Sequence, residues 1–357
     1  MSNSCSPTLN ANTSVHPFHQ PPSNRTHNGT LTDASASSLN APLQWNLMSE
    51  YLLFIAVAGV SFNGLAILRF VNDRTLLSPF SIQIIALLVL NFISAITQWT
   101  LSAVAILFSA RGKWTLGSGT CDLYLFSNAV VSALIMNTHG LLALNRTWAV
   151  LHPFSYRRLL SQRRALQIVA GLFALIILGL FPFWLMDAVI YRLPLPVQGC
   201  TMNVAAQAAY NVTAALLFYT LPVVVVWVAF IVVVGHKVAK VRRKHLHRVR
   251  PVKESADDKA TNRPTTQQRG LDAEERQRVK RSRWQSFLVL ILLTVSVTVC
   301  YGPRIIYAAL RLFIPSISHP LFFQVASMLF AWQIVLDPIL LSLTIGKFPG
   351  NRCIICC

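Results

Sequence analysis

The sequence predicts an all-α membrane protein, a seven-transmembrane helix bundle with its N-terminus extracellular and its C-terminus cytoplasmic. Three observations predict it. Hydrophobic residues make up 54% of the 357-residue chain and charged residues only 12%, about half the charged share of a soluble globular protein. The apolar residues are gathered into seven long runs. The 31 Lys and Arg lie mostly between those runs, and unevenly.

The runs fall near 49–70, 80–108, 120–150, 164–188, 207–236, 284–312 and 320–345. Each exceeds the roughly 20 residues with which a helix crosses a bilayer. They mostly lack the polar face that a water-soluble helix repeats every turn. The second run is the most interrupted, by Gln83, Asn91 and Gln98. Orientation follows from charge. The loops after runs one, three and five, together with the C-terminus, hold most of the basic residues, and such loops stay in the cytoplasm. The net charge of +19 is therefore segregated by topology. It does not form a folded basic face, so nucleic acid is not an expected partner.

Residues 1–48 form the expected extracellular tail, polar and disordered in composition. The tail offers Asn12, Asn24 and Asn28 as glycosylation sequons. Residues 1–45 show no apolar signal segment, so the first membrane helix is expected to serve as its own insertion signal. Residues 49–345 form the seven-transmembrane domain, with 237–283 as a long basic cytoplasmic loop. Its flanks, His236–Arg250 and Glu274–Arg283, are expected to prolong the neighbouring helices, and its centre, Glu254–Gln268, to be flexible. Residues 346–357 form a short cytoplasmic tail, in which Cys353, Cys356 and Cys357 are candidate palmitoylation sites. Position 354 is Ile, which does not suit a farnesyl box. No zinc-ligand spacing and no nucleophile–base pairing is visible, so neither cofactor nor enzyme chemistry is expected.

Residues inside the runs carry a resemblance to the rhodopsin-like family of G-protein-coupled receptors. Asn145-Arg146-Thr147 closes the third run, with Pro153 and Tyr156 beyond it, and is similar to the family's acid-Arg-Tyr box and the loop that follows. Cys121 lies 25 residues before Arg146, and Cys200 lies between runs four and five. Asn63-Gly64, Trp114 to Gly117, Pro222, Cys300-Tyr301-Gly302-Pro303 and Asp337-Pro338 fall in order along the chain. The resemblance covers about residues 60–345.

That resemblance implies a plasma-membrane receptor in which an extracellular ligand, unknown in kind, shifts a bundle that engages a heterotrimeric G protein. It implies a disulfide between Cys121 and Cys200. It makes Asn145, Arg146, Thr147, Tyr301, Pro303, Asp337 and Pro338 the coupling and switch positions. The family's usual acid beside the Arg is here Asn145, which implies a loosened resting state. The family's acid in run two and Asn in run seven are exchanged, as Asn91 and Asp337, so the two are expected to form a polar pair in the core. Tyr301, Phe230, Leu341 and Thr147 replace family switch residues, which keeps open a non-coupling decoy or scaffold receptor. A transporter is the more distant alternative.

The ligand is expected among the outer halves of runs three, five, six and seven, with Asn128, Ser132, Tyr301, Arg304, Tyr307 and Ser327 as candidate contacts. Asn128 stands where amine receptors carry an Asp. Run seven contains no Lys, which excludes a retinal Schiff base there. Arg304 either points into the cavity, favouring an anionic group, or snorkels or pairs with a local acid such as Asp187.

Overall fold

A computed structural model describes residues 47–72, 78–108, 114, 116–195, 199–249, 266–314 and 319–345. Asn12, Asn24, Asn28, Cys353, Cys356 and Cys357 lie outside the described residues. So does most of the centre of the long loop.

Seven helices are long and apolar enough to cross a membrane: α1 (Leu47–Asn72), α2 (Pro79–Leu107), α3 (Ser118–Leu151), α4 (Gln162–Tyr191), α5 (Ala205–Arg243), α6 (Phe287–Leu310) and α7 (Leu321–Ser342). No strand occurs among the described residues. Helix continues past α5 to Val249 and precedes α6 from Thr266. A short helix, Pro153–Leu159, follows α3.

Local sequence explains the helix ends. Ser78 caps α2 by accepting from the Ser81 amide, with Pro79 in the first turn, and Ser161 caps α4 in the same way through Arg164. Gly117 sits at φ 87 before α3, a conformation that costs other residues a Cβ clash. The hydrophobic stripe is wider than any soluble protein tolerates. Phe54, Leu65, Leu175, Leu178 and Ile231 are all exposed, and in a bilayer they meet lipid tails instead of water.

Burial ranks the helices. Over their membrane-crossing stretches 56% of α2 and of α3 is buried, against 22% of α4. The first two therefore form the centre of the bundle, and α4 lies at its rim.

Two prolines are answered from neighbouring helices. Pro222 lacks the N–H that would bond the carbonyl of Phe218, and the Asn137 side chain of α3 donates to that oxygen instead, at 2.9 Å. Pro338 likewise frees the carbonyl of Ile334, to which Asn63 of α1 donates at 2.8 Å. In each case an amide from another helix replaces the lost bond, so a kink position doubles as an interhelix tie. Tyr51 adds a further tie from α1 to α7 through the Met328 carbonyl, 2.6 Å away. Gly59 lets α1 and α7 approach closely, since a Cβ there would stand 2.6 Å from Ile334 Cδ1.

Four helices contain a widened π turn: Ala95–Trp99 in α2, Ser127–Val131 in α3, Asp187–Tyr191 in α4 and Ala215–Thr220 in α5. A π turn inserts a residue and rotates the side chains beyond it. Sequence periodicity does not reveal these turns. They re-aim Trp99, Asn128 and Tyr219, three residues of the site.

Candidate functional site

The site is a column of polar and aromatic side chains running along the bundle axis, from the disulfide to Arg146.

At one end, Cys121 of α3 is joined to Cys200 of the segment between α4 and α5. Trp114 holds the approach to α3 by donating its indole N–H to the Gly117 carbonyl at 3.0 Å. Beside the disulfide, Arg192 bridges two acids. It reaches Asp187 at 2.9 Å and also bonds Asp122. The second oxygen of Asp187 accepts from the Asn203 amide at 2.8 Å. Asp187 is thus fully engaged and does not pair with Arg304, which corrects the expectation of a local pair between them. The acid was nearer in space to an arginine only five residues along its own chain.

Below this layer lie Trp99, Asn128, Tyr219, Tyr301, Arg304 and Phe330. The Arg304 guanidinium lies over the Phe330 ring, 4.4 Å from its centre. Tyr301 meets the same ring edge-on at 5.0 Å, and Trp99 approaches it at 5.7 Å. Asn128 accepts from Gln98 at 3.0 Å, and Gln98 in turn accepts from Ser94 and Ser132, each at 3.1 Å. Ser132 therefore spends its hydroxyl within the wall. Ser327 bonds back to the Phe323 carbonyl, and Tyr307 packs between Phe322 and Phe323. Of the six candidate contacts, Tyr301 and Arg304 meet at the Phe330 ring, Asn128 and Ser132 both bond Gln98, the neighbour of Trp99, and Tyr307 and Ser327 are engaged elsewhere.

The middle of the column is built around Asp337. Its carboxylate accepts from Asn91 at 3.0 Å and from Ser296 at 3.3 Å, and lies 3.0 Å from Nε2 of His139. Asn91 is fully buried and Asp337 nearly so. His139 is the residue that sequence reasoning missed. A lone His in an apolar run usually carries little information, and nothing in the spacing of α3 shows that it meets an acid of α7.

Its geometry is informative. Nδ1 lies 2.8 Å from the Ile135 carbonyl, which can only accept, so Nδ1 carries a proton. Nε2 then faces a carboxylate oxygen, and two bare acceptors at that distance repel. A hydrogen placed between them relieves the repulsion, either a proton on Nε2 or the amide N–H of Gln333, whose nitrogen lies 2.8 Å from Nε2 and 3.5 Å from the same carboxylate oxygen. A small cavity with room for about one water adjoins Asp337, bordered by Leu87, Leu293, Ser296 and Leu341.

At the far end, Asn145 donates to Gln83 of α2 at 2.6 Å, and the guanidinium of Arg146 lies 3.0 Å from the centre of the Phe80 ring. Thr147 bonds the Ala143 carbonyl. Tyr156, in the short helix after α3, packs edge-on against Trp148. Burial pushes its phenol above its ordinary value, and the Arg146 charge opposes that rise. The acid-to-arginine contact of the usual box is thus replaced by an amide pair and an aromatic cover. Pro303 and Pro338 interrupt α6 and α7 on either side of the polar core.

Known proteins share this plan. The family described as 7 transmembrane receptor (rhodopsin family) matches residues 62–341. The chain belongs to that family. It is similar to melatonin receptor type 1B-B of Danio rerio, at 25% identity over 282 residues, 78% of this chain and 72% of the relative. Melanopsin-A of Danio rerio is 30% identical over 118 residues, 33% of this chain and 19% of the relative. The Gq-coupled rhodopsin of Mizuhopecten yessoensis is 25% identical over 199 residues, 54% of this chain and 39% of the relative. This receptor is a multi-pass plasma-membrane protein, and its relatives are melatonin receptors and opsins, not enzymes. Membership in the family implies a G protein as its partner.

Proposed function

We propose that this receptor takes an extracellular ligand at its disulfide-capped end and passes the signal to a heterotrimeric G protein at the Arg146 end. The supporting observation is the column itself, in which the aromatic layer meets the polar core through Tyr301, whose ring lies 6.3 Å from that of His139. A ligand that moves Tyr301 acts on the α3–α7 contact, and α3 carries Arg146 about two turns beyond His139.

The test is a G-protein recruitment screen in cells expressing the receptor or its Arg146→Ala form at matched surface density. Recruitment by the parent that falls to background in the variant is the expected result. Recruitment that Arg146→Ala leaves intact contradicts this coupling route, and none under any condition favours the decoy reading.

The aromatic cover of Arg146 leads to a second expectation. Phe80→Ala removes a cation–π contact of about 1–2 kcal/mol, so ligand-free second-messenger output should rise several-fold above that of the parent. Output equal to that of the parent would show that Phe80 does not restrain Arg146.

A further inference from the structure

The layer below the disulfide is short of hydrogen-bond acceptors. Trp99 is 7% exposed, and its indole Nε1 has no hydrogen-bond partner. A buried N–H left unpaired costs about 1–3 kcal/mol, and its persistence calls for an explanation. The Asn128 oxygen already accepts from Gln98, which leaves the amide nitrogen of Asn128 to donate. Arg304 brings a full positive charge to the same place.

That charge has no acid to meet among the described residues. Asp122 and Asp187 are both held by Arg192, and Asp337 is held by Asn91, Ser296 and His139. Glu50 is exposed in the first turn of α1. What surrounds Arg304 is aromatic: the Phe330 face and the phenols of Tyr124, Tyr219 and Tyr301. Of these, Tyr219 already donates to the Ala129 carbonyl. Trp99 and Arg304 both contact Phe330, so the two lie within about 10 Å of each other. The residues come from α2, α3, α6 and α7, and the π turns of α2 and α3 direct Trp99 and Asn128 inward.

We infer that this layer is the binding site for a monocarboxylate with an aromatic or apolar body, its carboxylate on Arg304 and a second acceptor atom on Trp99 and Asn128. Three donors without acceptors are complementary to an acceptor-rich group, and a guanidinium fork fits a carboxylate bidentately. Charge selects the class. One arginine balances one negative charge, whereas a phosphate monoester carries nearly two at neutral pH and would leave the excess buried. The aromatic walls suit the apolar body, which carries most of the affinity in a site of this kind. This assignment rests on the receptor reading above, because it names the ligand of the same site.

The experiment uses the full-length receptor purified in detergent and reads its thermal unfolding midpoint. The probes are N-acetylphenylalanine, 4-phenylbutyrate and decanoate, each paired with its uncharged primary amide, and phenyl phosphate. The expected result is that at least one acid raises the midpoint by about 3 °C or more at tenfold its half-saturating concentration, while its amide does not. Arg304→Gln should abolish that shift, and Trp99→Phe, which keeps the ring and loses the N–H, should weaken it for N-acetylphenylalanine more than for decanoate. The inference is overturned if no acid outperforms its amide, if the shift survives in Arg304→Gln, or if phenyl phosphate alone stabilises.

A ligand-free comparison guards against a variant that merely misfolds. Arg304→Met should raise the midpoint without any probe, because it removes a charge that lacks a counter-ion. A lower midpoint would make Arg304 a structural residue and sink the assignment. Carboxylate binding without Arg146-dependent recruitment would leave this inference standing and remove only the coupling.

Discussion

Replacing His139 with Ala is expected to cost this receptor about 2–4 kcal/mol of stability, from lost core packing and from a buried carboxylate deprived of one of its partners. Asp337 is 4% exposed and His139 is 1% exposed, so neither can recover a lost partner from bulk water. The Ala variant should show a lower unfolding midpoint and reduced surface expression. Asp337→Asn should be damaging in the same way, because His139, Asn91 and Ser296 then face an amide in place of a carboxylate.

The decisive measurement is the double variant. Removing both members, as His139→Ala with Asp337→Asn, takes away the uncompensated charge, so the pair should be less destabilised than the sum of the two single changes. Strict additivity would mean that the 3.0 Å contact carries no coupling. A further exchange separates this contact from the neighbouring amide. Asn91→Asp with Asp337→Asn moves the carboxylate from α7 to α2, and expression should recover only if His139 can still reach it.

The second large effect concerns the disulfide. Cys121 and Cys200 are 79 residues apart, and closing a loop of that size limits the unfolded chain by about 4–5 kcal/mol. Cys121→Ser or Cys200→Ser should therefore lose most of the surface receptor. The double change should be no worse than either single one, because the same bond is removed once. A single variant that keeps parental expression and midpoint would show that Arg192 and its two acids suffice to hold the segment. That outcome has a physical basis to be tested, since Asp122 sits beside Cys121 in α3 and Asp187 anchors Asn203 just beyond Cys200.

Most of the architecture was legible before any coordinates. Helices that face lipid are written in long apolar runs, and the described spans begin and end within a few residues of those runs. The reason is that a bilayer imposes one length and one composition on every crossing segment. Motif order along the chain likewise pointed to the family that residues 62–341 match.

Side-chain partners were less legible. Asn91 and Asp337 could be brought together because the resemblance placed them at exchanged positions. His139, Gln333 and Trp99 could not, because each is a single residue whose meaning depends on a helix far away in sequence. Asp187 shows the same limit, since it was weighed as a partner for Arg304 and the fold gives it to Arg192.

By itself, then, the sequence determined the seven spans, the segregation of positive charge and the proline positions, because solvent and backbone chemistry act on each segment separately. Only the tertiary structure decided what answers each proline, which side chains surround the lone core carboxylate, and which arginine is left without an acid. Those outcomes depend on helix rotation, which the π turns of α2, α3, α4 and α5 alter, and on contacts between residues as far apart as Asn63 and Ile334. A bilayer fixes how long a helix must be, but the neighbouring helices fix which way its polar residues face.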